Sequence, residues 1–291
     1  MVIRVKKSKK IILLIIIMFL CSITVNITIS DRTLTVSNYN IKTDKYSSSF
    51  RAVVLSDLHN KEYGKENIRL IQKVKEQKPD IIFTLGDFVT KFDPNKSTSL
   101  KLYKELTKIC RVYSVPGNHE THRSYSEFVK LKEEIRATGV TLLINQAEKV
   151  KINGDCIVVG GLRNYPYFEY LAPDYDCPEK DLLESVVARQ KDNFVILLNH
   201  HPEYLYWGLH GNKVDLMLCG HTHGGIIRLP YIGGLIAPNQ GILSGREILP
   251  VFTKGLYKKD GTTMIITGGL GNEVPLPRYF NPPEISVIDI N

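Results

Sequence analysis

From residue 50 onward, short apolar runs alternate with amphipathic ones. Residues 50–56, 81–85 and 112–115 are apolar at nearly every position and are bounded by polar residues, so they read as buried strands. Between them, 66–78 reads as a helix whose apolar face is Ile68, Leu70, Ile71 and Val74, ended by Pro79. A second helix is expected over 100–109, and a third over 127–137, closed by Gly139. Beyond it the chain turns richer in strands, at 140–143, 147–152 and 156–162, with Asn153-Gly154 as a hairpin turn. A helix over 182–189, buried strands at 194–198 and 214–218, and closing strands at 264–267 and 285–290 complete the pattern. Strands apolar on both faces and separated by helices imply helix-covered sheets of an α/β fold. The strand-helix alternation fades after residue 140, which adds a second, more mixed sheet.

The N-terminus departs from this pattern. Residues 11–29 form a run of 19 residues without a charge, preceded by Arg4, Lys6, Lys7, Lys9 and Lys10. At about 1.5 Å per residue such a helix nearly spans a hydrocarbon core of about 30 Å, and the basic cluster would stay on the cytoplasmic side. The competing expectation is a cleaved signal peptide and a secreted protein. The apolar core 11–21 fits that length, but no small-x-small cleavage site follows it, and Cys21 follows Met-Phe-Leu, a poor lipidation context. The expected organisation is a basic cytoplasmic segment at 1–10, a transmembrane signal-anchor at 11–29, a polar stalk at 30–48 with room for a first strand, and one extracytoplasmic domain at 49–291.

Charge changes the picture little. The chain carries 38 basic against 30 acidic residues, but five of the basic ones precede the apolar run, so the remainder is close to balance at about +3. No strongly basic face is implied, and nucleic acid is not expected as a partner. The five cysteines, Cys21, Cys110, Cys156, Cys177 and Cys219, form no CxxC pair, which speaks against a cysteine-ligated metal. Their pairing and the oligomeric state are not legible in the sequence.

The chemistry lies where the apolar runs end. Ser56-Asp57-Leu58-His59 follows the first, Gly86-Asp87 the second and Gly117-Asn118-His119-Glu120 the third. Asn199-His200-His201-Pro202 and Gly220-His221-Thr222-His223-Gly224-Gly225 follow two later ones. Ligands of α/β sheets bind beyond the carboxyl ends of strands, so five such ends can share one crevice. Asp and His suit borderline divalent cations. In Asp57-Leu-His59 and His221-Thr-His223, an extended backbone would send both ligands to one side. Singly, each motif is weak, since Asp-x-His and Gly-Asp are common surface turns. The ordered set is far more specific than any member.

This set resembles the calcineurin-like metallophosphoesterase superfamily, whose pattern is Asp-x-His, Gly-Asp, Gly-Asn-His-Asp/Glu, a lone His and Gly-His-x-His in that order. The match runs from about Phe50 to the C-terminus. The resemblance implies a four-layer αββα sandwich of two mixed sheets and a phosphoesterase acting on a phosphodiester or phosphomonoester through a metal-bridging hydroxide. It implies two divalent ions (Mn, Fe, Zn or Ni). Carried over, Asp57, His59 and His223 hold one metal, Asn118, His200 and His221 the other, and Asp87 bridges. His200 is chosen over His201 because the lone His of the family stands two residues before a Pro, and His201 is left as a residue that can stand behind the ligands. His119 takes the role of the acid or phosphate-contacting group. The tail 269–271 with 278–285 looks like a membrane-associated or exported bacterial branch. There Ile226 stands where many relatives carry Gln, making the expected pocket wall more apolar.

Other residues are given no firm role: His122 reads as a solvated loop residue, His210 as structural or exposed, Arg278 as a phosphate contact or a surface-loop salt bridge, and Asp174 and Asp176 are unassigned. Tyr165, Tyr167, Phe168 and Tyr170 read as a substrate rim or a membrane-facing patch, and equally as a packed loop. A tethered site at the outer membrane face suits a lipid-linked or envelope-derived phosphate compound. The alternatives are a nuclease and, from another class, a non-catalytic scaffold, which the intact ligand set disfavours.

Overall fold

A computed structural model describes residues 2–91, 93–163, 192–207, 209, 214–238, 240–241, 248–273 and 276–291. The helix expected over 182–189, the aromatic cluster at 165–170, Asp174, Asp176, Cys177 and His210 lie outside the described residues.

Two six-stranded sheets make the frame. In the first, the order is β1 (Thr35–Ile41), β14 (Glu284–Ile290), β2 (Phe50–Leu55), β3 (Ile81–Thr84), β4 (Arg111–Ser114) and β5 (Thr141–Leu142). Strands β2 through β5 run parallel, β14 antiparallel to β2, and β1 parallel to β14. The second sheet is ordered β12 (Gly255–Lys259), β13 (Thr262–Ile266), β9 (Leu216–Cys219), β8 (Phe194–Leu198), β7 (Asp155–Gly161) and β6 (Gln146–Ile152). Its four inner strands are parallel and its two edges antiparallel. A small hairpin, β10 (Arg228–Leu229) and β11 (Gly233–Gly234), stands apart.

The period of two along each strand sorts side chains into layers. On β2, Phe50, Ala52 and Val54 join a buried cluster with Phe83, Tyr113, Ile157, Val159, Ile196 and Leu218, which glues the two sheets face to face. Val53 and Leu55 point the other way. They pack with Leu70, Ile71 and Val74 of α2 (Ile68–Glu76), Leu102 and Leu106 of α3 (Ser97–Thr107), and Leu131 and Ile135 of the later helix Tyr125–Arg136. The outer face of the second sheet, through Val158, Val195, Met217 and Met264, meets Tyr204, Leu205 and Phe252. Both faces of the strands are thus covered, which explains why their sequences are apolar throughout.

Two N-terminal expectations meet the structure here. The stretch expected as a stalk is in part an edge strand. All seven residues of β1 pair with β14, Leu34 packs into the helix-side cluster, and Thr35 N–H donates to Pro283 O at 2.9 Å. Its polar composition is that of an edge exposed to water on one side, which the sequence cannot distinguish from a linker. Before it runs α1 (Val2–Arg32), which contains the expected span 11–29. Among the described residues, no helix is long and apolar enough to cross a membrane.

Candidate metal centre

Because β2, β3 and β4 are parallel, their carboxyl ends lie side by side, and β8 and β9 bring two further ends from the facing sheet. The ladder continues one step past each strand. Leu85 N–H donates to Leu55 O (2.9 Å), Val115 N–H to Thr84 O (3.1 Å) and Asn199 N–H to Leu218 O (3.0 Å). The chain then breaks into short loops. Gly86 permits the break at φ +85°, and a Cβ there would collide with the Gly117 backbone, so no other residue fits. At Gly220 a Cβ would run into the Ser56 hydroxyl.

The ligand loops are not extended. Asp57 (φ 53°), His59 (φ 48°), Asp87 (φ 53°), His221 (φ 69°) and His223 (φ 50°) all lie in the left-handed region. This corrects the expectation that i and i+2 converge because the backbone is extended. The pairs converge because left-handed residues curl each loop around the crevice. The conformation costs about 1–3 kcal/mol per non-glycine residue, a strain typical of functional sites and held here by surrounding bonds. Asp57 N–H donates to Gly86 O and His59 N–H to Asp87 O, both at 3.0 Å, while Leu58 between them is fully buried in the helix-side core.

All seven residues expected as ligands converge, together with His119. The ligand atoms of Asp57, His59 and His223 lie within 4.8 Å of one another, as do those of Asp57, Asp87 and His200, and those of His59, Asp87 and His119. His200 Nε2 is 3.1 Å from Asn118 Oδ1 and 3.1 Å from Asp87 Oδ2, and its Nδ1 is 2.6 Å from Leu85 O. With Leu85 O accepting, the proton sits on Nδ1 and the Nε2 lone pair faces the crevice. Asp87 Oδ2 is also 3.9 Å from His59 Nε2, so this carboxylate lies between two groups of histidines. Asp57 Oδ1 stands 4.0 Å from both His200 Nε2 and His223 Nε2, and Asp57 accepts the His221 N–H at 3.1 Å.

Electrostatics are dominated by burial. Asp57 is pushed up to about 6, chiefly by desolvation, with His200 opposing and Asp87 adding to the rise. Asp87 is pushed up to about 7 by burial, against a bond from the His119 N–H. Burial drives His223 down to about 3, and His59 and His221 well below their usual range, with neighbouring histidines acting in the same direction. The cluster therefore favours neutral imidazoles with free lone pairs. His59 Nδ1 and Nε2 and His221 Nε2 are buried without any hydrogen-bond partner among the described residues. Buried polar nitrogens left open in this way, beside carboxylates, are donors that fit divalent cations.

His119 occupies the rim, on the one-turn α4 (Asn118–Thr121). Its Nδ1 accepts the Lys91 N–H at 2.9 Å, so the neutral ring carries its proton on Nε2. That atom faces Glu273 Oε2 at 2.6 Å and Asp87 Oδ2 at 3.8 Å. Burial depresses its pKa to about 4, with His200 and His122 acting in the same direction.

Four residues were missed or misjudged from sequence. Glu120 is 2% exposed, and its carboxylate accepts N–H groups from Asp87 (2.8 Å), Phe88 (3.0 Å), Val89 (3.2 Å) and Gly117 (2.8 Å). It clamps two ligand loops together. Arg278, expected as a phosphate contact or a surface-loop salt bridge, is buried and donates to the carbonyls of Gly268, Gly271 and His223. It ties the C-terminal loop to the His223 loop, a role no local pattern announces. Ile226, expected to line the pocket wall, is fully buried. His201 stands nearer the centre than expected: the ligand atoms of His200, His201 and His221 lie within 4.8 Å of one another. His122, as expected, is exposed.

Two facing mixed sheets with a buried Asp/His/Asn cluster at adjoining strand ends define a metal-dependent hydrolase. Residues 50–225 match the Calcineurin-like phosphoesterase family, and the chain belongs to it. It is 30% identical over 248 residues to the uncharacterized metallophosphoesterase YkuE of Bacillus subtilis (strain 168), covering 83% of this chain and 79% of that protein. It is 28% identical over 196 residues to phosphodiesterase YaeI of Escherichia coli (strain K12), covering 66% of this chain and 67% of that one. It is 23% identical over 249 residues to an uncharacterized metallophosphoesterase of Helicobacter pylori (strain J99), with 84% of this chain spanning 60% of that protein's length. The chain is a metal-dependent phosphoesterase.

Proposed function

We propose that this phosphoesterase hydrolyses a phosphodiester or phosphomonoester at two divalent cations, on the outer face of a membrane. Asp57, His59 and His223 would hold one cation, Asn118, His200 and His221 the other, and Asp87 would bridge them. The observation that carries this reading is the Asp87 carboxylate, with Oδ2 3.9 Å from His59 Nε2 and 3.1 Å from His200 Nε2. When bound, such cations supply Lewis-acid activation of water and neutralise charge on phosphate oxygens. The chain supplies the rest. Glu120 holds the Asp87 and Asn118 loops at fixed separation. His119 Nε2–H donates to a phosphate or leaving-group oxygen, its tautomer fixed by the Lys91 N–H, and Glu273 holds the ring until substrate takes its place.

The membrane part of the reading rests on the uncharged run 11–29 and on the large apolar side chains that α1 leaves exposed, among them Leu13, Leu14, Ile16, Ile17, Met18 and Leu20. A tethered site suits a lipid-linked or envelope-derived phosphate compound. The test is metal analysis of the purified chain together with hydrolysis of a chromogenic phosphodiester and a monoester in Mn, Fe or Zn. Asp87→Ala is expected to lose metal and activity together. A folded, metal-loaded chain with no hydrolysis of either ester sinks the reading, and so does an Asp87→Ala protein that keeps both.

A further inference from the structure

The hairpin of β10 and β11 stands beside the metal centre, and its tip has no partner among the described residues. It begins just after the His223 loop, and Arg228 Nη1 donates back to Gly224 O at 2.6 Å. Register pairs Leu229 with Gly233, so its loop is Pro230-Tyr231-Ile232. Tips of this kind are normally made from Gly, Asn, Asp or Ser, because they are solvated and often need φ > 0. Here Tyr231 takes φ 68° and is completely exposed, and Ile232 is 60% exposed. A bulky ring in a left-handed conformation, held in water beside a second large apolar residue, is costly twice over.

Two further observations give the tip a context. An open cleft of about 460 Å³ separates it from Phe280, itself 47% exposed. The Phe280 N–H donates to Asn26 Oδ1 of α1 at 2.8 Å, which fixes the end of that helix to the same loop. On α1, Val25 and Ile29 are one turn apart, and each is 56% exposed. The exposed apolar side chains of the helix, Phe280 and the hairpin tip thus belong to neighbouring segments bonded together.

We propose that the hairpin tip, Phe280 and the end of α1 form one surface that contacts a lipid bilayer. In it Tyr231 and Ile232 enter the headgroup region and turn the metal centre toward the membrane. An aromatic-aliphatic tip next to an apolar helix has the composition of an interfacial anchor. Its continuity with α1 selects a bilayer over a soluble partner. The inference rests on the reading above that α1 is the membrane attachment.

The test uses the full chain mixed into vesicles of phosphatidylcholine and phosphatidylglycerol, with or without acyl-brominated phosphatidylcholine. Tyr231→Trp is compared with Lys75→Trp, placed on the exposed last turn of α2, and the emission of the unsubstituted chain with its one native Trp is subtracted. The indole at 231 is expected to shift to the blue and to lose emission to bromine, while that at 75 stays unchanged. Equal quenching at the two positions overturns the proposal, as does a chain that fails to float with vesicles. Hydrolysis of a soluble phosphodiester by the same preparation reports separately on the catalytic reading. Activity without quenching removes only the membrane surface. Quenching without activity keeps the surface and removes the phosphoesterase mechanism.

Discussion

At the scale of single residues, the site separates holding from reacting. His119 meets the crevice through one proton, on Nε2, and is not among the residues assigned to either cation. His119→Ala is expected to retain full metal content and lose about 10²–10⁴-fold in kcat, the span associated with a positioned proton donor. Metal analysis beside steady-state kinetics checks this, and a parallel fall in metal content would reassign His119 as a ligand. Glu120 makes the opposite case. It touches no reacting atom, yet it satisfies four backbone donors in a buried pocket, and burial followed by repulsion from Asp87 pushes its pKa up to about 7. Glu120→Ala strands those donors and should cost about 3–5 kcal/mol in denaturant unfolding. Glu120→Gln keeps one carbonyl acceptor and should fall between the two. A cost below about 1 kcal/mol for the alanine variant would show that water replaces the carboxylate.

At the scale of elements, what the sequence conveyed well was the interior of each strand. Residues 50–56, 81–85, 112–115 and 194–198 were expected as buried strands and are β2, β3, β4 and β8, because an apolar run between polar boundaries has few alternatives. Helix ends were less legible. The third helix, Tyr125–Arg136, was expected to begin at 127. It starts earlier because Ser124 and Glu127 close a capping box, with Ser124 Oγ accepting the Glu127 N–H at 3.4 Å and Glu127 Oε2 the Ser124 N–H at 3.2 Å. Naming that helix α5, its cap gives a direct check: Ser124→Ala should lower stability by about 1 kcal/mol without touching activity. An unchanged melting temperature would mean that the box is formed but energetically idle. Strand β12 escaped notice because its alternation is short and its faces are only half buried. The edge strand β1 reads as a linker for the same reason.

Across the whole molecule, the buried carboxylates and imidazoles make metal binding and pH one problem. Asp57 and Asp87 have folded values near 6 and 7, above the ordinary 3.8. Stability they contribute at low pH is therefore lost as pH rises through those values. His59, His221 and His223 are shifted downward, so their contribution is present above about 6.5 and is lost as pH falls. A cation needs every ligand deprotonated. His59, His221 and His223 are held neutral by burial, so among these shifted groups the carboxylates carry the pH dependence of loading. The gap in melting temperature between metal-loaded and chelated protein is expected to widen from about pH 5 to about pH 8, with most of the change near the two carboxylate values. A gap that is equal at both ends of that range would show that the carboxylates do not bind the cation.

The sequence by itself determined the apolar strands at the centre of each sheet, the helices between the first of them and the residue types at the strand ends. Polarity and periodicity are local properties, so Asp57, His59, Asp87, Asn118, His119, His200, His221 and His223 could all be picked out before any contact was known. Only the tertiary structure decided how they meet. The ligand loops curl through left-handed residues, Glu120 and Arg278 lock those loops from behind, and His201 swings toward the centre. Each depends on two segments far apart in the chain, such as those of His223 and Arg278, 55 positions apart, which share a hydrogen bond in the fold and no pattern in the sequence. The same holds for the loop of Phe280 beside α1, where the bond between Asn26 and Phe280 spans 254 positions. Long-range pairs are fixed by packing of whole sheets, and packing is a property of the assembled core.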